Sequence, residues 1–221
     1  MRLISSFILV CILTGLSLAN TTTAAIESYL IKMFNYANAH NVKALEDMQG
    51  EIVSKKIGTI VTAYSLALYI ASPEKYKNQY VDNFPVTYEG IMYDLYELIE
   101  LKKFTPKFLY SIESIGLIAQ DGNDKAIEKV LEGTIHSDGV VSDSFCDILT
   151  GLFHKQPQKT LKALSKLNAE QRSKEYSCFK LMDSEEFVIL KEYIEKLKPA
   201  TTLEKKVIQE IMQYHYCPNV I

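Results

Sequence analysis

Tryptophan is absent from this chain, glycine is held to 9 residues, proline to 6 and cysteine to 4. Glycines so few and so scattered build no phosphate-cradling loop, which removes the usual nucleotide-binding motifs. There is no G-x-S-x-G elbow, no H-E-x-x-H helix and no C-x-x-C pair, so hydrolase, zinc-protease and dithiol chemistry lack a sequence carrier. Neither sign of charge dominates. The 24 basic and 27 acidic residues leave a net charge of −3, and no Lys/Arg cluster stands out. That balance gives no electrostatic footprint for nucleic acid or for an anionic membrane surface. Long apolar runs are missing beyond the first residues: the stretch from Ile57 to Ile70 is broken by Thr59, Thr62 and Ser65, so no stable membrane insertion is expected once the N-terminal segment is removed.

That N-terminal segment is the clearest feature present. Met1 and Arg2 lead into an apolar run from Leu3 to Leu18, followed by Ser17-Leu18-Ala19 as a small-x-small site and the polar run Asn20 to Thr23. The layout is that of a secretory signal peptide cleaved after Ala19. Ser5, Ser6, Thr14, Gly15 and Ser17 dilute the run, which disfavours an uncleaved anchor. Residues 1–19 are therefore read as a signal peptide and 20–221 as one exported domain, secreted or periplasmic, of about 200 residues, long enough to bury a sizeable core.

Through the rest of the chain, apolar residues recur at helical spacing. Tyr88, Ile91, Met92, Leu95, Leu98 and Ile99 form one stripe, and Val141, Phe145, Ile148, Leu149 and Leu152 another. Proline at 73, 106 and 157 marks first helical turns. Asn168 with Gln171, Asp183 with Glu186 and Thr201 with Glu204 fit capping boxes. The pattern predicts helices over 23–48, 51–71, 73–82, 87–102, 106–120, 123–134, 140–154, 157–166, 169–181, 184–197 and 202–215. The fold class is all-α: a compact multi-helix bundle, or a short right-handed stack of about ten helices with a weak length echo every 30 or so residues.

Candidate chemistry is thin. Asp121-Gly122-Asn123-Asp124 resembles the start of a calcium loop, but Lys125 and Ala126 stand where further ligation and a glycine are needed. It reads as a helix stop followed by a cap. His136, His154 and His215 each fall near a predicted helix C-terminus, where an imidazolium meets free carbonyls. No catalytic residue, metal site or cofactor is assigned. Asp94, Glu97 and Glu100 make a negative ridge at helical spacing.

Tyrosine is the compositional oddity, with 14 in the chain. Tyr76 and Tyr80 precede Phe84 at i, i+4, i+8, and Tyr93 and Tyr96 flank the acidic ridge. Large rings with polar tips suit protein interfaces. The expected site is therefore a protein-binding surface built from Tyr76, Tyr80, Tyr93, Tyr96, Asp94, Glu97 and Glu100. The corresponding function is an exported binding module, of the kind that masks or inhibits another protein as toxin-neutralising immunity proteins do. A carrier for an apolar small molecule or lipid is the alternative, and an unrecognised enzyme the third reading. Three cysteines follow the signal, and antiparallel succession of the last three helices would pair Cys178 with Cys217, leaving Cys146 as a small buried hydrophobe. Replacing Leu9 and Val10 with charged residues should block export, read as precursor accumulating in the cytoplasm; normal export of that variant would remove the signal-peptide reading.

Overall fold

A computed structural model describes residues 28–55, 58–85, 105–137, 139–181 and 184–213. Among them every regular element is a helix and there is no strand. The all-α expectation therefore holds. Residues 1–19, expected to be a signal peptide, and the stripe of residues 88–99 lie outside the described residues. The chain divides into two compact units, with Asn83 ending the first and Phe84 beginning the second. No low-complexity linker marks that boundary, and by sequence 20–221 reads as one domain.

In the first unit, helix α1 covers residues 28–38. Leu30, Met33, Phe34 and Ala37 are all buried, a stripe of i, i+3, i+4, i+7 spacing. The expected helix over 23–48 breaks at His40, whose φ of 51° is left-handed and uncommon for a residue with a side chain. Asn41 then caps a new helix, α2 (Val42–Asp47), by accepting the Ala44 amide at 3.1 Å. After α3 (Gln49–Lys55), helix α4 (Gly58–Ala71) is surrounded: Thr62, Ala63, Tyr64, Ser65, Leu66, Ala67 and Leu68 are all buried. Its polar side chains are satisfied. Ser65 donates to the Val61 carbonyl at 2.9 Å and accepts from Asn83 at 2.8 Å, while the Tyr64 hydroxyl donates to the Leu45 carbonyl at 2.9 Å. Burial pushes that hydroxyl up to about 12. Helix α5 (Pro73–Asn83) packs along α4 and closes the unit.

The second unit is built on three helices that each touch the other two: α6 (Thr105–Gln120), α7 (Asp124–His136) and α8 (Gly139–Lys155). Gly122, at φ 89°, ends α6, and Asn123 caps α7 by accepting the Ala126 amide at 3.0 Å. The calcium-loop-like segment is thus a helix stop and cap. Phe145 of α8, 1% exposed, lies directly against Gly133 of α7, where an added Cβ would come within 2.5 Å of the ring. Any side chain there would force the Phe145 ring or the helices themselves to shift.

Helix α9 (Pro157–Lys166) packs on α7 and α8, and α12 (Thr202–Gln213) packs mainly on α9. Helix α10 (Ala169–Ser177) leans back on α7, and a 3-10 turn (Cys178–Leu181) follows it against α8. Helix α11 (Ser184–Glu195) lies between α8 and α12. Contacts that skip along the chain in this way are those of a bundle; in a stack each unit meets only its neighbours. The Asn168–Gln171 capping box is present in both directions. At α12 the Glu204 amide donates to the Thr201 hydroxyl at 3.1 Å, but the Glu204 carboxylate reaches Ala200 N at 2.6 Å rather than closing the box on Thr201.

The cysteine pairing is a correction. Cys178 is bonded to Cys146, with Cα atoms 5.0 Å apart, and not to Cys217, which lies outside the described residues. The expected pair assumed that the last three helices pack in antiparallel succession. Because α10 instead docks on α7, its end arrives over the middle of α8, and the inward direction of Cys146 brings the two sulfurs together. The bridge spans 32 positions, which in the chain-entropy account contributes about 4 kcal/mol. Peptide mapping of non-reduced, thiol-blocked protein should yield a linked Cys146/Cys178 peptide, and the Cys146→Ser, Cys178→Ser double variant should lose roughly 2–5 kcal/mol in denaturant titration.

Candidate functional site

The structure does not place the first two expected interface tyrosines on a surface. Tyr80 is 0% exposed and stacks on Tyr69 with centroids 4.9 Å apart, while Tyr76 is buried with its hydroxyl on Glu46 at 2.5 Å. Both belong to the core of the first unit. Their i, i+4 spacing marks the face that α5 turns inward, and periodicity alone does not say whether a ring stripe meets core or partner. Tyr93, Tyr96, Asp94, Glu97 and Glu100 lie outside the described residues. His136 and His154 sit in the last turns of α7 and α8, as expected, and His215 lies outside the described residues. His40, which the sequence reading passed over, places Nδ1 3.1 Å from the carbonyl of Ala71, the last residue of α4. Among the described residues no group of three or more His, Cys, Asp or Glu is placed to hold a metal, and no helix is long and apolar enough to cross a membrane.

Three features of the second unit remain as candidates. The first is the outer face of α11. Its inner face buries Phe187, Leu190 and Ile194, yet Val188, Ile189 and Tyr193 stay 54%, 49% and 46% exposed. Ile189 and Tyr193 neighbour one another on the helix surface at i, i+4, and Val188 stands one residue round the helix on the same exposed side. Tyr193 is braced edge-on by His154 of α8 at 6.1 Å, so one side of the strip is held in place. Glu185, Glu192 and Lys196 are exposed around it. Lone exposed apolar residues are ordinary, but a contiguous aliphatic and aromatic strip with a charged rim has the make-up of an interaction surface.

The second is a shallow groove of about 110 Å³ between α7 and α9, lined by Asp124, Glu128, Lys159, Lys162 and Lys166 with Ile127 and Ala163 at its floor. Lys159 bonds Asp124 at 2.9 Å and also the Gly122 carbonyl, and Lys166 pairs with Glu128. The Lys159 hydrogen bond holds the Asp124 carboxyl below the usual carboxylate range. Two of the three ammonium groups are thus neutralised within the groove.

The third is the seam beneath α10. Its buried side chains are Arg172, Glu175 and Tyr176, with no aliphatic residue among them. Arg172 makes a two-pronged contact with Glu210 of α12, Nε to Oε2 at 2.7 Å and Nη2 to Oε1 at 2.9 Å, and the Tyr176 hydroxyl donates to the same carboxylate at 2.9 Å. The Arg172 hydrogen bond is the main reason the Glu210 carboxyl lies below its ordinary value. Glu175 is 0% exposed, and among the described residues neither carboxyl oxygen has a hydrogen-bond partner. Burial holds it well above the usual carboxylate range; the Thr134 hydroxyl beside it favours the charged form, but that group already donates to the Val130 carbonyl at 3.0 Å. None of this was legible in the sequence. Glu175 and Glu210 look like ordinary surface carboxylates of amphipathic helices until the tertiary contacts are known.

No protein-family model, no curated protein and no solved structure matches this chain.

The contrast between the buried rings and the exposed strip is measurable. Tyr80→Ser should destabilise the first unit by about 3–5 kcal/mol, as for other buried aromatic truncations, while Ile189→Ser should stay within about 0.5 kcal/mol of the parent, both read by urea unfolding.

Proposed function

We propose that the protein is an exported helical binding domain that engages another protein, masking or inhibiting it, through the solvent face of α11. The observation that carries this reading is the strip of Val188, Ile189 and Tyr193, left in water by a helix that buries its opposite face fully. Apolar side chains at the centre supply most of the energy of such an interface when desolvated, and a charged rim excludes wrong partners. The Cys146–Cys178 bridge supports export, since buried disulfides of this kind persist in oxidising compartments. Relative to the sequence expectation, the reading keeps the class of function and moves the surface from the 76–100 region to α11.

The partner implied is a protein with a complementary apolar patch; no catalytic step and no cofactor is assigned. The test is a photo-reactive residue placed at position 189 in the exported chain, with one at exposed position 162 as control, irradiated in the native compartment. A discrete adduct at 189, absent at 162 and lost when Val188→Lys is added, is the expected result. Absence of an adduct at 189, or the same adducts from both positions, would overturn this surface.

A further inference from the structure

We propose that α10 is a proton-controlled latch, docked on the second unit only while Glu175 is neutral and Glu210 is ionised. The geometry that sets these opposite demands is the polar seam itself. Most surface helices are held by an aliphatic stripe, whose attraction is indifferent to pH. Helix α10 has none: Arg172, Glu175 and Tyr176 are what it buries. The Tyr176 ring, stacked on Phe179, supplies its apolar contact, and the rest of its attachment depends on the charge carried by these groups and their partners.

Arg172 has a side chain only 5% exposed, and its charge is offset by Glu210. Protonating Glu210 would leave that guanidinium buried against a neutral acid and release the Tyr176 hydroxyl from a charged acceptor. Lys206, 3.9 Å away on the same helix as Glu210, reinforces the ionised form. Glu175 is in the reverse position. From α7 it meets the Thr134 hydroxyl; on its own helix Arg172 and Tyr176 turn to Glu210; and the 3-10 turn that follows begins with Cys178, which in its disulfide does not titrate. No charged group from α7, from α12 or from that turn offsets it among the described residues, so a charge on Glu175 would be buried and unpaired.

The signs follow from linkage. Glu175 binds its proton more tightly in the folded state, so its favourable contribution is complete below the ordinary value of 4.5 and is lost as pH rises through the raised folded value. Glu210 binds its proton less tightly in the folded state, so its contribution is present above 4.5 and is lost as pH falls through the lowered folded value. The two limbs meet in mildly acidic solution, where α10 is held most firmly. Release would be local. The Asn168–Gln171 box and the Cys146–Cys178 bridge mark the two ends of the segment, and the bridge keeps a freed α10 tethered to α8.

The experiment is hydrogen exchange on the full, disulfide-intact chain from about pH 2 to pH 9, so that both limbs fall within the scan, corrected for the intrinsic exchange rate, comparing peptides over 169–177 with peptides over the middle of α8. Protection of α10 should fall at least about tenfold between pH 5 and pH 8, while α8 changes little. Glu175→Gln, the uncharged near-isostere, should abolish the alkaline limb and leave the acid limb. Glu210→Gln should lower α10 protection throughout, abolish the acid limb and leave the alkaline one. The latch is overturned if α10 protection in the parent chain is flat with pH, if Glu175→Gln retains the parent's alkaline limb, or if α10 and α8 open together at every pH.

Discussion

Phe145 rests its ring on the bare backbone of Gly133, and the packing of the second unit follows from that close approach. With α7 and α8 drawn together, the neighbouring Cys146 is turned inward to the level where the 3-10 turn can meet it. From the other side Phe84 meets the same ring edge-on at 6.4 Å. Helix α8 thereby becomes the element that the rest shares: it contacts α6, α7, α9, α11 and the 3-10 turn. A bulkier residue at position 133 would disturb a hydrophobic contact and the covalent one beside it.

What the sequence makes legible here is local. Pro157 at the first position of α9, the Asn168–Gln171 box and the Gly122 stop each act within a few residues, so the spans 157–166 and 169 onward could be read with little error. The break at His40 was missed because a left-handed histidine has no compositional signature, unlike the glycine at 122. The cysteine pairing was missed for a different reason. It depends on α10 lying against α7, a contact between segments distant in sequence that no local signal marks. Tyr76 and Tyr80 show the limit of periodicity: a ring stripe at helical spacing reports that one face is special, not what covers it.

The strip on α11 and the seam under α10 represent opposite departures from ordinary burial. On α11, aliphatic and aromatic groups face water although the same helix buries three others well. On α10, an arginine, a glutamate and a tyrosine are taken out of water although nothing aliphatic accompanies them. Each departure weakens the folded monomer relative to a simpler choice of side chain. The first is the feature on which the proposed binding surface rests, and the second the one on which the proposed latch rests.

The polar character of the α10 seam also determines how its opening responds to conditions other than acidity. Denaturant sensitivity scales with the surface that a transition exposes, and heat-capacity change with the apolar part of it. Separating one helix of 9 residues, in which the Tyr176 ring is the main apolar group, uncovers little of either beside unfolding of the whole unit. Undocking of α10 should accordingly have a shallow dependence on urea and on temperature, whereas loss of the Phe145 core has a steep one. At low denaturant the segment would then be among the first to move, and its motion would leave the cooperative unfolding of the remaining bundle almost unchanged in slope.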